Sequence, residues 1–363
     1  MDPPAIDYLV SNLSDLELAL LLSLVCQEHC LIETPVANVD DVSGELALIC
    51  ERAFGLSYAI LDFTPDTSLD DFSSGILAPE RRRGRYYGAN VDSGTSSSQS
   101  RAQSRFPLDR AYLDERKIVN VIIAKNFNVA NDSVQIQALE LIRSKRIFTR
   151  KSVHPAQKTF LFLPVIGYNA SRRSHNLPLN KHLNDHLLFC HFHELNAGYP
   201  NLEDDESWIS EDRESLSSVV RKRHGDEKLQ FGNHYISENI ISDLHLSSKN
   251  VSVSAEVGRY LQNIVVFLRL NRAVVGGISA RATKHFYLVA KALASLHSID
   301  YLTPSIVDLA AKKVYRHRIN IGRTEDDRSL QYGSQPESVE LLLRGVDADQ
   351  VIETVISEVE SPL

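Results

Sequence analysis

The chain has 363 residues, 43% of them apolar and 24% charged. This composition excludes wholesale disorder, a collagen and a disulfide-stapled miniprotein. Its 39 basic residues face 47 acidic ones, a formal charge of -8, so nucleic-acid binding over the whole surface is not expected. At about 100–200 residues per domain, the length predicts two or three domains.

Four cysteines, Cys26, Cys30, Cys50 and Cys190, are too few for a disulfide framework in a chain of this length. We expect them to be reduced and mostly buried, which favours a cytoplasmic or nuclear protein. The first residues lack the basic and apolar regions of a signal peptide. The apolar runs are shorter than the roughly 20 residues that span a bilayer, so we expect no membrane contact.

The first 65 residues predict the order helix, strand, helix, strand, which is typical of a parallel α/β core. In the first helix, Ser14 is the expected N-cap and Glu17 completes a capping box. The predicted elements are a Leu-rich buried helix at Asp15–Cys26, a strand at His29–Ile32, a helix at Gly44–Phe54 and a strand at Ser57–Phe63.

Between about Ser73 and Glu115 the apolar content collapses, which predicts a disordered insertion within the core. Arginines cluster there at positions 81–85, before a serine-rich stretch. This cluster could bind a nucleotide, a nucleic acid or an acidic protein, but composition favours a solvated arm.

The remaining core alternates strands and helices again, and the last part of the chain is helical. The core elements are strands at Ile118–Ala124 and Thr159–Ile166, a helix at Val134–Ile142 and a further candidate strand at Leu183–Phe192. The later helices are Ser254–Arg272, Ala280–Leu296, Thr303–Val314, with Thr303 as N-cap and Pro304 at the first position, and Ala348–Val359.

This pattern divides the chain into four parts. Residues 1–200 form the α/β core with the insertion at about 73–115, and residues 201–250 a polar connector. Residues 251–322 form a small domain of three helices, and residues 323–363 a tail with one helix.

Three stretches resemble MoxR-type AAA+ proteins and magnesium-chelatase subunit I. They are Leu61–Gly75 (LDFTPDTSLDDFSSG), Leu177–Phe189 with the later Gly198-Tyr199-Pro200, and above all Val253–Ala282 with DYLTPSIVDLAAKKVYRHRI. The resemblance covers most of the chain outside the insertion. It implies an α/β fold with an AAA+ P-loop-type parallel sheet core, followed by a small three-helix lid domain.

The motif that would hold a nucleoside triphosphate is degenerate. A phosphate loop, G-x-x-x-x-G-K-[ST], wraps phosphates in backbone N–H groups, and its Lys neutralises their charge. It should follow the strand that ends at Ile32, where Asp40 takes the Lys position and Asp41 the Ser/Thr position. Pro35 matches the family, but Thr34, Ala37 and Val39 replace glycines. Like charges about 4 Å apart cost roughly 1 kcal/mol in water and several when partly buried, so this loop should repel a triphosphate.

The other parts of an ATPase site are also altered. The second motif is a strand ending in Asp-Glu, which hold Mg²⁺ and activate water, but here Lys125 and Asn126 follow the strand. Asn128 matches a polar position of the family, and Asn169 is the candidate polar sensor. By resemblance, Asp185 takes the place of the arginine finger that acts on a neighbouring subunit.

One element of the motif set survives. By resemblance, Arg281 matches the lid's sensor arginine, which contacts the γ-phosphate in active relatives. It could retain a nucleotide contact, or it could be a helix-start residue that pairs with an acidic side chain across the domain interface. A single Arg cannot replace the phosphate loop.

Five residues with metal-binding side chains lie close together in sequence: His182, His186, Cys190, His191 and His193. A metal site there would need these side chains on one face of an element. The resemblance places the last three on a strand, where Cys190 would point away from His191 and His193. We therefore expect no metal site, and core or interface histidines instead.

The sequence favours a degenerate AAA+ protein that needs no cofactor and acts as a non-hydrolysing subunit or scaffold. By resemblance, its partners would be other AAA+ subunits or a protein with a von Willebrand A domain. The alternative is an ATP- and Mg²⁺-binding MoxR-type chaperone or chelatase-like ATPase with unusual site residues. A third hypothesis is a regulator that binds through the Arg-rich insertion.

Overall fold

The computed structural model describes residues 10–78, 116–149, 152–168, 179–194, 198–203 and 236–362. The helices are α1 Asp15–Cys26, α2 Val39–Arg52, α3 Leu69–Gly75, α4 Asp132–Ser144, α5 Lys181–His186, α6 Pro200–Glu203, α7 Glu238–Asn250, α8 Ala255–Leu270, α9 Ala280–Leu296, α10 Pro304–Tyr315, α11 Pro336–Leu343 and α12 Ala348–Glu358. The strands are β1 His29–Pro35, β2 Tyr58–Asp62, β3 Val121–Lys125, β4 Arg146–Phe148, β5 Val153–Pro155, β6 Leu161–Tyr168, β7 Leu187–Phe192, β8 Val274–Gly276 and β9 Asn320–Ile321.

Five strands form one parallel sheet in the order β2-β3-β6-β1-β7, which confirms the predicted α/β core. Both faces are covered, as parallel sheets require. Neighbouring residues of β1 show this, because Ile32 packs with α1 and α2 while Leu31 packs with α3 and α4. The helices thus change face between α2 and α3, on either side of β2 in the chain. In parallel sheets of this kind, ligand sites lie at the carboxyl ends of the strands.

Helix caps predicted from the sequence are present at both ends of the chain. Ser14 and Glu17 form a reciprocal capping box at the start of α1. Thr303 caps α10, and Pro304 occupies its first turn. These caps satisfy backbone N–H groups that have no partner within the helix, which fixes where each helix begins.

Helix α1 is apolar on every side because other elements surround it. It packs against β1 and α2 of the core and against α7 and α9 of the helical part. Leu20, Leu21 and Val25 are completely buried. A helix that is hydrophobic all round belongs inside a core, so the prediction that α1 is a packing element is confirmed.

Two predicted elements differ in extent or type. Helix α2 begins at Val39 rather than Gly44, because Val39 and Val42 continue the buried face of the helix. The strand predicted from Leu183 is wrong in its first half, since residues up to His186 form α5, whose N-cap is Asn180. The predicted strand His29–Ile32 also continues to Pro35.

The start of the predicted insertion is wrong by several residues. Helix α3 extends to Gly75, and Phe72, Ile76 and Leu77 are buried against the sheet. Leu77 then pairs with Ile118, so the chain leaves and re-enters the core at one point. Residues 79–115, which include the arginine cluster and the serine-rich stretch, lie outside the described residues.

The three predicted lid helices are present as α8, α9 and α10. They are joined by α7, which packs on α9, and by α12, which packs on α8 and α10. Part of the predicted connector and the tail helix therefore pack against the lid helices. The domain boundaries at residues 200, 250 and 322 stay a prediction. In the described parts of the chain, no helix combines the length and apolar character needed to cross a membrane.

Candidate nucleotide site and its remnants

The segment after β1, where a phosphate loop would lie, is a short helical turn. β1 pairs with β6 as far as Pro35, and Val36–Asn38 then forms one 3-10 turn that runs directly into α2. A Cβ added to Gly167 on β6 would lie 3.0 Å from the Val36 side chain. Val36 therefore packs closely against the backbone of β6, and the turn leaves no wide loop for phosphates.

Asp40 and Lys125 form an ion pair across the predicted site. Lys125 is the last residue of β3, and its ammonium group contacts the Asp40 carboxylate in the first turn of α2. The same ammonium group lies 3.7 Å from Asp62, which ends β2. The Asn126 side-chain amide donates a hydrogen bond of 3.0 Å to Asp62. The two positions that the resemblance assigns to the phosphate-loop Lys and the Mg²⁺-binding Asp thus carry a carboxylate and an ammonium group in contact.

The charges at this edge do not fit a triphosphate with Mg²⁺. Four charged side chains lie here, those of Asp40, Asp41, Asp62 and Lys125. Lys125 is the one cation of the four, and it already contacts the carboxylates of Asp40 and Asp62. The first turn of a helix attracts anions, but in α2 that place is taken by the two aspartates. A triphosphate would therefore meet a net negative charge rather than a cationic cradle.

The centre of the turn is used for packing against a distant segment. Asn38 donates its side-chain amide to the Tyr199 hydroxyl at 2.8 Å. Glu45 on α2 is fully buried and accepts hydrogen bonds from the Asn201 and Leu202 backbone N–H groups at 3.1 and 2.7 Å. These contacts hold the Gly198-Tyr199-Pro200 stretch on the helix that follows the turn.

The remaining residues of this predicted site have separate places. Thr34 is fully buried, and its hydroxyl forms no hydrogen bond within the described part of the chain. Pro35 ends β1, and Asn128 lies in a 3-10 turn after β3. Asn169 lies outside the described residues. The structure thus brings Thr34, Pro35, Asp40, Asp41, Lys125, Asn126 and Asn128 to one edge of the sheet.

Asp185 and Arg281 lie at the opposite edge of the sheet, where the amino ends of the strands meet. Asp185 precedes β7, whose first residue Leu187 is in register with His29 at the start of β1. Its carboxylate accepts a hydrogen bond of 2.5 Å from the Ser279 hydroxyl, at the start of α9. A strand of this length spans roughly 20 Å. Asp185 is therefore remote from Asp40 of the same chain, and its assignment to the arginine-finger position stays a prediction.

Arg281 belongs to the same edge as Asp185. Burial lowers the pKa of His186 to about 4, and the charge of Arg281 adds to this shift, which places the two residues close together. The charge of Arg281 also acts on the acidic side chain of Glu28, where it opposes the rise in pKa that burial causes. Both predicted roles of Arg281 stay predictions.

Arg318 joins the lid to the core at this edge. It is 2% exposed and donates to the Leu187 and Leu188 carbonyl groups of β7 and to the Nδ1 atom of His285. Burial lowers the pKa of Arg318 to about 10, with Asp185 opposing the shift. Burial also lowers the pKa of His285 to about 3, and the neighbouring Arg318 charge contributes. A neutral imidazole can accept a hydrogen bond from a guanidinium group.

The clustered histidines do not form a metal site in the described structure. His182 and His186 lie on α5, and His191 and Cys190 on β7. Among the described residues, no three His, Cys, Asp or Glu side chains come together as a metal site requires. His191 and His193 are buried, with ring centres 6.4 Å apart.

Comparison with known proteins identifies the architecture. Residues 267–339 match the AAA lid domain family. The whole arrangement is similar to the crystal structure of a candidate ATPase from Cytophaga hutchinsonii, with a TM-score of 0.58 and 18% sequence identity, over 95% of this chain and 89% of the other. The chain has the AAA+ fold. Its parallel sheet is the core of that fold, and α8 to α10 belong to its lid.

Curated relatives are more distant in sequence. The chain is 24% identical over 144 residues to "Maintenance of telomere capping protein 2" of Kluyveromyces lactis, which covers 38% of this chain and 49% of that protein. The match thus spans about half the length of the relative. The uncharacterised protein YeaC of Bacillus subtilis is 22% identical over 349 residues, covering 96% of this chain and 90% of the other.

Three features of these sites were not predicted from the sequence. They are the contact between Asp40 and Lys125, the Glu45 clamp and the buried Arg318. The first had a signal, because the resemblance assigns both positions to one site and the two side chains have opposite charges. Arginine is almost never fully buried, so the YRHRI stretch gave no indication that Arg318 fastens the lid.

Proposed function

We propose that this chain is a non-hydrolysing AAA+ subunit or scaffold of a protein complex, related to the MoxR and magnesium-chelatase type. The ion pair between Asp40 and Lys125 supports this most directly. It places an internal salt bridge where active relatives hold phosphates and Mg²⁺. The fold remains while the charges that hydrolysis needs are exchanged.

The chemistry of hydrolysis needs charge neutralisation and an oriented water molecule. Lys125 cannot bind Mg²⁺, and Asn126 cannot accept a proton and already donates to Asp62. Asp185 cannot neutralise charge on a neighbour's nucleotide as an arginine would. Each loss alone lowers the rate, and together they remove the electrostatic basis of catalysis.

The proposed partners are other AAA+ subunits or a protein with a von Willebrand A domain, in the cytoplasm or nucleus. The K. lactis relative is named for the maintenance of telomere capping, which supports a role within an assembly. Asp185 and the lid edge offer a neighbouring subunit a carboxylate in place of a cation. Nucleic acid and membranes are not proposed as partners.

Calorimetric titration of the purified protein with Mg²⁺-ATP, together with a phosphate-release assay, tests the loss of nucleotide chemistry. We expect no saturable heat and no turnover above background. An Asp40→Lys/Lys125→Asp variant restores the sign of both positions and controls for a competent fold. The alternative ATPase function is established instead if the wild type turns over ATP and Arg281→Ala abolishes it.

A further inference from the structure

Two adjoining cavities run across the outer side of the lid, on either side of the hairpin formed by β8 and β9. The larger, about 620 Å³, lies between this hairpin and α5. The smaller, about 370 Å³, lies between the hairpin, the end of α8 and the end of α11. Val275, Arg323 and Asp326 line both. We call this continuous feature the lid groove.

The lid groove exposes apolar side chains that a monomer would ordinarily bury. Leu270, at the end of α8, is 76% exposed, and Val275 on β8 is 60% exposed. Leu343 contributes to the same wall, and its neighbours Leu341 and Leu342 are also largely exposed. Grouped exposed apolar residues with a polar rim mark interaction surfaces.

The rim of the lid groove is basic although the chain is acidic. Arg269, Arg323 and Arg328 line the smaller cavity and Lys181 the larger. Arg272 is neutralised by Asp327 at 2.8 Å, whereas Arg323 and Arg328 form no ion pair within the described part of the chain. The carboxylates that oppose them are Asp326, which lines both cavities, Asp185 in the larger and Asp327 in the smaller. A basic patch on a molecule of net charge -8 selects an anionic partner by charge complementarity.

We propose that the lid groove binds an acidic segment of a partner protein, with apolar side chains of that segment seated on Leu270 and Val275. Carboxylates of the segment would meet Arg323 and Arg328. The apolar floor favours a peptide over a nucleic acid, whose backbone offers charge without aliphatic anchors. This proposal rests on the role of the chain as a binding subunit, but not on its lack of ATP hydrolysis.

Fluorescence anisotropy with a labelled peptide of alternating Glu and Leu tests this proposal, with a Lys/Leu peptide of equal length as the comparison. We expect the acidic peptide to bind and its affinity to fall with added salt. Arg323→Glu and Arg328→Glu should each weaken binding about fivefold or more. The matched control is Arg259→Glu, which changes an exposed arginine nearer the start of α8 and should leave binding unchanged.

Leu270→Ser tests the apolar anchor and should also weaken binding several-fold, whereas Leu246→Ser, at an exposed leucine of α7, should not. Thermal melts establish that each variant folds. Equal binding of the Lys/Leu peptide, or an unchanged affinity in Arg323→Glu, overturns the proposal. So does tighter binding of a single-stranded oligonucleotide, or a dimer in sedimentation that Arg323→Glu dissociates, since a second copy would then fill the groove. ATP turnover measured on the same samples separates failure of this proposal from failure of the proposed function.

Discussion

At the scale of single residues, the ion pair between Asp40 and Lys125 is the contact on which the proposed function rests. The Lys125 side chain is 15% exposed and lies between Asp40 and Asp62. A partly buried ammonium group without carboxylate partners would be costly, so these aspartates stabilise the Lys125 cation. Reverting one position alone would place like charges together.

A double-mutant cycle tests this coupling. Asp40→Lys should destabilise the protein because it places a second cation beside Lys125, and Lys125→Asp because it adds a third carboxylate. The combined variant should recover a coupling free energy of about 0.5–1 kcal/mol, limited by the exposure of Asp40. Urea denaturation measures the free energy of unfolding, and Asp41→Lys serves as the control on the same turn. Strictly additive single effects would contradict the pairing.

Gly277 allows the segment after β8 to approach the backbone that follows α10, within the lid, and its replacement gives a second prediction. Its φ is +101°, and an added Cβ would clash with the Arg318 carbonyl oxygen. Gly277→Ala should lower the free energy of unfolding by about 1–3 kcal/mol from backbone strain alone. Displacement of the Arg318 backbone should add to this loss. Gly333→Ala is the control, because Gly333 has φ +89° but open space around it. If both variants lose the same free energy of unfolding, backbone strain alone explains the effect and the predicted clash with Arg318 contributes nothing.

At the scale of elements, the junction of α9, α10 and β7 depends on neutral histidines. The pKa of His285 is lowered to about 3 and that of His317 well below its ordinary value, mainly by burial. The unfolded chain therefore binds more protons than the folded one below about pH 6.5. The stabilisation is complete above that pH and is lost as the pH falls from about 6.5 towards the folded-state pKa.

Urea midpoints at pH 7.5 and 5.5 measure this effect. Each such histidine should reduce the free energy of unfolding by about 1 kcal/mol over that interval. His285→Gln removes one titrating group and should make the dependence correspondingly shallower. An unchanged pH dependence in His285→Gln would mean that His285 is not held neutral in the folded protein.

The elements that the sequence predicted well are those with local signals. The capping box of Ser14 and Glu17 and the Thr303-Pro304 start of α10 depend on neighbouring residues. The predicted strand at Leu183 failed because apolar residues alone do not distinguish a short helix from a strand. The clamp of Glu45 on Asn201 joins positions far apart in the chain, and no local pattern indicates it.

At the scale of the whole molecule, core and lid share one hydrophobic interior. One continuous set of buried side chains includes α1, one face of the sheet and α7 to α10. Arg316, after α10, reinforces the junction, with its guanidinium group over the Phe192 ring and 3.5 Å from Asp349. Because α1 touches both parts, neither can lose it without exposing apolar surface.

This shared interior predicts that the described parts unfold together. Differential scanning calorimetry should show one cooperative transition, with calorimetric and van't Hoff enthalpies in agreement. Leu20→Ala, which creates a cavity in α1 between core and lid, should lower the free energy of unfolding by about 2–5 kcal/mol and shift the whole transition. Leu246→Ala, at an exposed position of α7, should leave it almost unchanged. If Leu20→Ala instead moves one of two separate transitions, core and lid are independent units, and α1 stabilises the one that moves.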